Sequence, residues 1–265
     1  MDSFNSNLKS LIKNKKSCLC VGLDISPELV GSNNLEKLKK HTFDVIDVTR
    51  DLAVSYKPNF AFFERWGAEG FTWLEETVAY IGKEHIKIAD AKRGDIGNTA
   101  KQYADSIFNH FNFDAVTLNP YMGEDSIEPF LNDKKKGVFI LCRTSNPSSS
   151  QIQGYLDDND PCFKKVAVLA NSFNFKNNVG LVVGATAIEE LKMIRKISPE
   201  LSLLIPGVGF QGGSLEDSVS IGNYSSSALI NISRSISFAG DLSKKAIRKS
   251  AKNYVIQMEK LLDGK

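Results

Sequence analysis

Ile86-Lys-Ile-Ala-Asp-Ala-Lys-Arg-Gly-Asp-Ile-Gly-Asn-Thr99 opens as a short apolar run, closes on charge, and passes through glycine into an amphipathic stretch over 97–111. A short β-branched run with such an ending reads as a buried strand, and the stretch after it reads as a helix. The same unit recurs along the chain. Further apolar runs lie at 17–24, 55–59, 115–119, 137–142, 179–184, 203–206 and 228–232, with amphipathic stretches at 35–53, 70–82, 161–175 and 187–197. Strands alternating with helices mean βα units and a parallel sheet. Eight strand runs in 265 residues predict an α/β fold, a (β/α)8 TIM barrel in one domain spanning 1–265. A doubly wound open sheet is the competing arrangement. Residues 1–16, with a short helix over 4–13, read as an N-terminal extension, and 241–262 as the closing helix.

Composition narrows the function classes. Apolar residues are 42% and charged residues 24% of the chain, the balance of a globular protein rather than a disordered one. Lys plus Arg number 33 against 31 Asp plus Glu, a net charge of +2, which argues against a nucleic-acid or membrane-surface partner. No apolar stretch approaches the ~20 residues of a membrane span. The opening Met-Asp-Ser-Phe-Asn-Ser lacks a basic-then-apolar signal pattern. Cys18, Cys20, Cys142 and Cys162 form neither a C-x-x-C pair nor a disulfide framework, so a cytoplasmic, reducing location is expected. His41, His85 and His110 stand apart from other ligand types, and no metal centre is expected.

Charge is disfavoured on buried parallel strands, so its placement is informative. Asp24 closes the first run, Lys57 ends the second, and Asp90 and Lys92 end the third. All four fall at carboxyl ends of strands, the face on which barrels build their sites. Residues two apart on a strand point the same way, which directs Asp90 and Lys92 together into the barrel mouth. Asp95 follows in the next turn. One pair alone reads equally well as a structural ion pair, and Asp95 as a helix N-cap. Convergence from three successive strand ends favours function, because burying such groups for stability alone is unfavourable. A lysine ammonium set among carboxylates is suited to donating a proton to a developing carbanion.

A second site is legible after the seventh run, in Pro206-Gly-Val-Gly-Phe-Gln-Gly-Gly213. Glycines let backbone N–H groups approach an anion. A helix pattern from Ser214 would offer its N-terminus as well. After the eighth run, Ile232-Ser-Arg-Ser235 puts the Arg234 guanidinium at a strand end. Loops after strands seven and eight are the usual phosphate grip of such barrels, with Gln211 as a neutral donor and Arg234 as a bidentate one. The loop from Thr144 to Asp160 follows the fifth run. Its start, within Arg143-Thr-Ser-Asn-Pro-Ser148, reads as turn chemistry or as hydroxyls and an amide that meet a polar ligand edge. With Gln153 and Tyr155 following, the loop also reads as a lid.

Asp90-Ala-Lys-Arg-Gly-Asp-Ile-Gly-Asn-Thr99 resembles the D-x-K-x-x-D-I-x-x-T signature of the orotidine 5′-phosphate decarboxylase family. The likeness extends through Gly22-Leu-Asp24, Lys57-Pro-Asn, Arg143-Thr-Ser-Asn-Pro147, the Pro-Gly-Val-Gly-Phe-Gln-Gly-Gly loop and the late Ser-Arg, and is nearest the bacterial-type branch. The resemblance implies conversion of orotidine 5′-phosphate to UMP and CO2 in de novo pyrimidine synthesis, without metal or organic cofactor. It implies a homodimer with active sites at the subunit interface. Matching motif positions, Lys92 would protonate C6, Asp90 would lie against the departing carboxylate, and Lys57 would complete the charge array and reach the ribose. Asp24 would bind a ribose hydroxyl, Ser145 the pyrimidine edge, and Gln211 and Arg234 the phosphate. Asp95 and Thr99 would enter the neighbouring subunit's site. One departure stands out: some family members carry tyrosine where this chain has Gly213. Because D-x-K-x-x-D is shared within the superfamily, a Mg²⁺-dependent keto-sugar-phosphate decarboxylase or aldolase is the alternative enzyme. A catalytically silent nucleotide-binding barrel is the non-enzymatic one.

Overall fold

In the computed structural model, which describes residues 2–157 and 160–264, each of the eight apolar runs forms a strand. They are β1 (Leu19–Leu23), β2 (Ser55–Pro58), β3 (Ile86–Arg93), β4 (Ala115–Leu118), β5 (Gly137–Arg143), β6 (Val179–Val183), β7 (Ser202–Pro206) and β8 (Ala228–Ile232). All neighbours pair in parallel, in the closed order β1-β8-β7-β6-β5-β4-β3-β2. The pairing of Leu19, Cys20 and Val21 with Ile230, Asn231 and Ile232 joins first strand to last, which an open sheet cannot do. Strands β1, β2, β4, β6 and β8 are buried at every position, since barrel side chains cover one face and helices the other. Closure brings β1 and β8 very near each other at Gly22, where a Cβ would lie 2.6 Å from the Cβ of Ser233.

The helices follow the amphipathic stretches. The longer ones are α1 (Phe4–Lys15), α2 (Leu35–Thr49), α3 (Gly67–Ile81), α4 (Gly97–Asp105), α5 (Cys162–Ser172), α6 (Ile188–Ile197), α7 (Leu215–Gly222) and α8 (Lys244–Asp263), with short helical turns at Pro27–Val30, Phe60–Glu64 and Arg234–Ser237. Side-chain caps begin several of them: Ser3 for α1, Asn34 for α2 and Ser243 for α8 each accept a backbone N–H of the first turn. Three places depart from the expected pattern. The β4-to-β5 connection contains short 3₁₀ turns at Pro120–Met122, Glu124–Ser126 and Glu128–Phe130 in place of a helix. Pro120, Pro129 and the left-handed Gly123 (φ 81°) prevent a continuous i→i−4 ladder there. The helix expected over 97–111 turns into a π-helical segment at Ser106–His110. The loop after β5 contains a 3₁₀ turn, Pro147–Gln151, and an antiparallel pairing of Leu156–Asp157 with Asp160–Pro161. Residues 158 and 159 of that expected loop lie outside the described residues.

Helix α1 seals the amino-terminal end of the barrel. Phe4, Leu8 and Ile12 recur at helical spacing and are buried in the same core as the strands. The Phe4 ring occupies the space left by Gly137 and meets Phe139 edge-to-face at 5.9 Å between centroids. Phe4→Ala should therefore remove a core contact and lower unfolding stability by roughly 3–5 kcal/mol. Urea denaturation checks this, and an unchanged midpoint would mean the helix does not belong to the barrel core.

Candidate active site

The carboxyl ends of the strands surround a cleft of about 630 Å3, within the usual range for a small-molecule site. Asp24, Lys57, Asp90, Gln211 and Arg234 all line it. Its centre is the carboxylate of Asp90, only 9% exposed. One oxygen, Oδ2, accepts from Lys57 Nζ. The other, Oδ1, accepts from Lys92 Nζ at 2.5 Å and from the Thr117 hydroxyl at 3.1 Å. Lys57 is buried and Lys92 is half exposed at its side chain, so one ammonium is locked inside and one reaches solvent. An isolated bridge between Asn59 and Asp90 holds the ends of β2 and β3 in register.

The electrostatics follow from this packing. Burial alone would raise the Asp90 pKa, but the Lys57 and Lys92 ammoniums outweigh it and hold the carboxyl well below its ordinary range. Burial alone would likewise discharge Lys57. The Asp90 and Asp24 carboxylates reverse this and hold the ammonium above its usual value. Burial also keeps the neighbouring Cys20 thiol protonated, with its pKa pushed up to about 12, so no thiolate competes for the lysines.

Strand alternation does not by itself account for the meeting of Asp90 and Lys92. Lys92 has a left-handed backbone, φ 45°, and the β3–β4 register is irregular between Ala89 and Arg93. The twist of the chain at Lys92 therefore sets the direction of its side chain, a feature that a period-2 reading cannot register. Asp95 is not a helix N-cap. Ile96 occupies that position, and Asp95 Oδ1 accepts the adjacent Ile96 N–H at 2.8 Å. Lys92, Asp95, Thr99 and Ser145 are not among the residues that line the cleft of their own chain; Lys92 is joined to it through its ion pair with Asp90. Ser145 packs against Gly184 and Gly207, where a Cβ would lie 2.9 Å and 3.5 Å from its own.

At the far end of the cleft, the glycine-rich loop folds back on itself through a Gly213 N–H to Gly207 carbonyl bond of 3.0 Å. This explains the missing tyrosine, since any Cβ at Gly213 would lie 2.8 Å from the Gly207 oxygen and against the Ala185 side chain. The Arg234 guanidinium stacks on Phe210, 3.8 Å from the ring centroid. The N-terminus of α7, expected to face an anion, carries a cap and acidic residues of its own. Ser214 Oγ accepts the Asp217 N–H at 3.1 Å, and Glu216 and Asp217 fill its first turn. That leaves the glycine loop, Gln211 and Arg234 at this end.

Sequence reasoning missed Thr117, Asn231 and Ser233. Asn231 is a polar residue inside the apolar run of β8, the signal that singled out Asp24, and it lines the cleft. Asp24 Oδ1 and Ser233 Oγ are buried without a hydrogen-bond partner at the cleft wall. Such unpaired groups are costly in a closed interior and suit a polar ligand. Among the described residues, no group of three His, Cys, Asp or Glu side chains is placed to hold a metal ion.

Comparison with known proteins settles the family. The profile described as "Orotidine 5'-phosphate decarboxylase / HUMPS family" matches residues 17–249. The chain belongs to that family. A relative named orotidine 5′-phosphate decarboxylase from Halorubrum lacusprofundi is 45% identical over 92% of this chain and 90% of its own length. Another of that name, from Herpetosiphon aurantiacus, is 41% identical over 97% of this chain and 98% of its own. Among solved structures, OMP decarboxylase from Leishmania donovani superposes with a TM-score of 0.88 at 37% identity, covering 98% of this chain and 99% of that one. UMP synthase of the same organism superposes at 0.91 with 38% identity, covering all of this chain but 57% of that one. The family membership covers the strand-end charges and the glycine loop alike, since both lie within the matched residues.

The Asp90 carboxylate sets a stability expectation with a defined pH window. Its depressed pKa contributes stability above the ordinary value of 3.8, lost as pH falls below it. The raised Lys57 pKa contributes stability below 10.5, lost as pH climbs past it. Asp90→Asn leaves a buried ammonium short of its main counter-charge and should cost roughly 3–5 kcal/mol across about pH 5 to 9. Urea denaturation over that range measures it; an undiminished midpoint would show that the pair is not buried as described.

Proposed function

We propose that the chain decarboxylates orotidine 5′-phosphate to UMP and CO2 as a step of pyrimidine nucleotide synthesis. One observation carries the reading beyond family membership. The substrate is anionic at two separated places, a ring carboxylate and a 5′-phosphate, and the cleft holds cationic groups at two separated places. Lys57 lines it on Asp90, whose other oxygen holds Lys92, and Arg234 lines it with Gln211 on the strand-seven and strand-eight side.

Loss of CO2 from C6 leaves an electron pair in the ring plane with little delocalisation, so the step in water has a very high barrier. Enzymes in general lower such barriers by ~8–23 kcal/mol. The ammonium of Lys92, fixed on Asp90 before substrate arrives, meets the developing charge without reorganisation and then supplies the proton to C6. Asp90 orients that ammonium and stands against the departing carboxylate. Lys57 keeps Asp90 ionised and extends toward the ribose, where Asp24, with one oxygen unpaired, takes a hydroxyl. Ser145 meets the pyrimidine edge, and Gln211 with Arg234 grips the phosphate, whose binding energy closes the loops around the ring. A divalent cation is poorly suited to the centre of this site, because both Asp90 oxygens already accept from ammonium groups.

Asp95 and Thr99 act across a homodimer in this proposal. They match the family signature, and Ile96 and Tyr121, on the loops after β3 and β4, leave large apolar surface exposed beside them. A cytoplasmic location agrees with four cysteines that form no disulfide.

Loss of orotate-ring ultraviolet absorbance on adding orotidine 5′-phosphate tests the function, and folded protein without turnover rejects it. Turnover should be indifferent to EDTA. Lys92→Ala should lower kcat by roughly 10²–10⁴ or more while UMP binding stays measurable; near-native turnover would remove the lysine from its role. Mixing the inactive variants Lys92→Ala and Asp95→Asn should restore about a quarter of wild-type activity, because half of randomly paired dimers then hold one intact shared site. No recovery after subunit exchange would place Asp95 in its own chain's chemistry.

A further inference from the structure

We propose that the Thr117 hydroxyl is a positioning group that holds Lys92 in its working geometry, an inference that rests on the decarboxylase reading. The β3–β4 ladder pairs Ala89 with Val116 and then Arg93 with Leu118. Asp90, Ala91 and Lys92 therefore stand opposite the single residue Thr117, a bulge of the kind that re-aims a side chain beside a site. Lys92 takes a left-handed φ of 45° within it, a conformation unfavourable for a residue with a Cβ and kept only where surroundings enforce it. The bulge removes the backbone partner that a regular ladder would give the Lys92 N–H. Thr117 Oγ1 replaces it, accepting that N–H at 3.0 Å.

A hydroxyl has one proton and an amide N–H can only donate, so the direction of every bond is settled. The Thr117 proton goes to Asp90 Oδ1 at 3.1 Å, the same oxygen that accepts the Lys92 ammonium at 2.5 Å. A closed ring results: Lys92 backbone to Thr117, Thr117 to Asp90, Asp90 to the Lys92 side chain. One buried hydroxyl thereby fixes both the backbone and the counter-ion that locate the ammonium. Serine at this position keeps the ring; valine, of equal shape, breaks it at both bonds.

Wild type, Thr117→Val and Thr117→Ser are compared by steady-state kinetics and by UMP titration. Thr117→Val should lose between about tenfold and a hundredfold in kcat, the scale of a small misplacement of a reacting group, with KM and UMP affinity little changed. Thr117→Ser should recover most of the loss. Undiminished kcat in Thr117→Val, equal losses in both variants, or a parallel loss of UMP binding would each overturn the proposal. A wild type that binds UMP without turning over orotidine 5′-phosphate rejects the decarboxylase reading instead. The placement is then read from a crystal structure of Thr117→Val, where an unmoved Lys92 backbone and ammonium would refute it.

Discussion

The Asp90 carboxylate, buried between two ammonium groups, is the interaction on which the site depends. Taking Asp90 and Lys57 out of water is expensive, and an apolar replacement of similar volume often serves stability as well or better. The arrangement holds because every lone pair facing inward has a donor: Lys57 on one oxygen, Lys92 and Thr117 on the other. The same strand shows the ordinary alternative at its other end. Lys87 pairs with Asp114 at 3.5 Å beside a half-open surface, a pairing that satisfies charge without building a cleft.

The barrel is what makes this carboxylate useful. Parallel closure puts all strand carboxyl ends on one rim, so groups from residues 24, 57, 90, 211 and 234 line one cleft despite their separation along the chain. The decisive seam is β1 against β8. It brings Asp24 to the wall that Asn231, Ser233 and Arg234 form, and it requires Gly22, since any side chain there would strike Ser233. At the opposite face of the barrel, α1 closes the core by packing Phe4 against Phe139. Stability and site are thus built at opposite ends of the same strands, as general barrel architecture leads one to expect.

Much of this was legible in the residues. Strand ends carrying Asp24, Lys57, Asp90 and Lys92 stood out because charge is rare in buried runs, and the glycine loop with Gln211 and Arg234 followed from its place after the seventh strand. Thr117 escaped notice because threonine is a common strand residue, and nothing local marks a hydroxyl that serves two partners on another strand. The cap of the Ser214 helix was overlooked for a related reason. Its capping serine and acidic first turn were visible in the chain, but they serve the helix itself rather than a ligand.

The amino-acid sequence by itself determined the alternation of strands and helices, the family, and which charges lie at strand ends, because periodicity and punctuation are local properties. Tertiary structure alone decided that β1 meets β8, that Lys92 turns left-handed, and that Asp24, Lys57 and Asp90 share one cleft with Gln211 and Arg234. Those outcomes depend on register between strands distant along the chain and on hydrogen bonds formed only after the barrel closes. No local pattern carries that information.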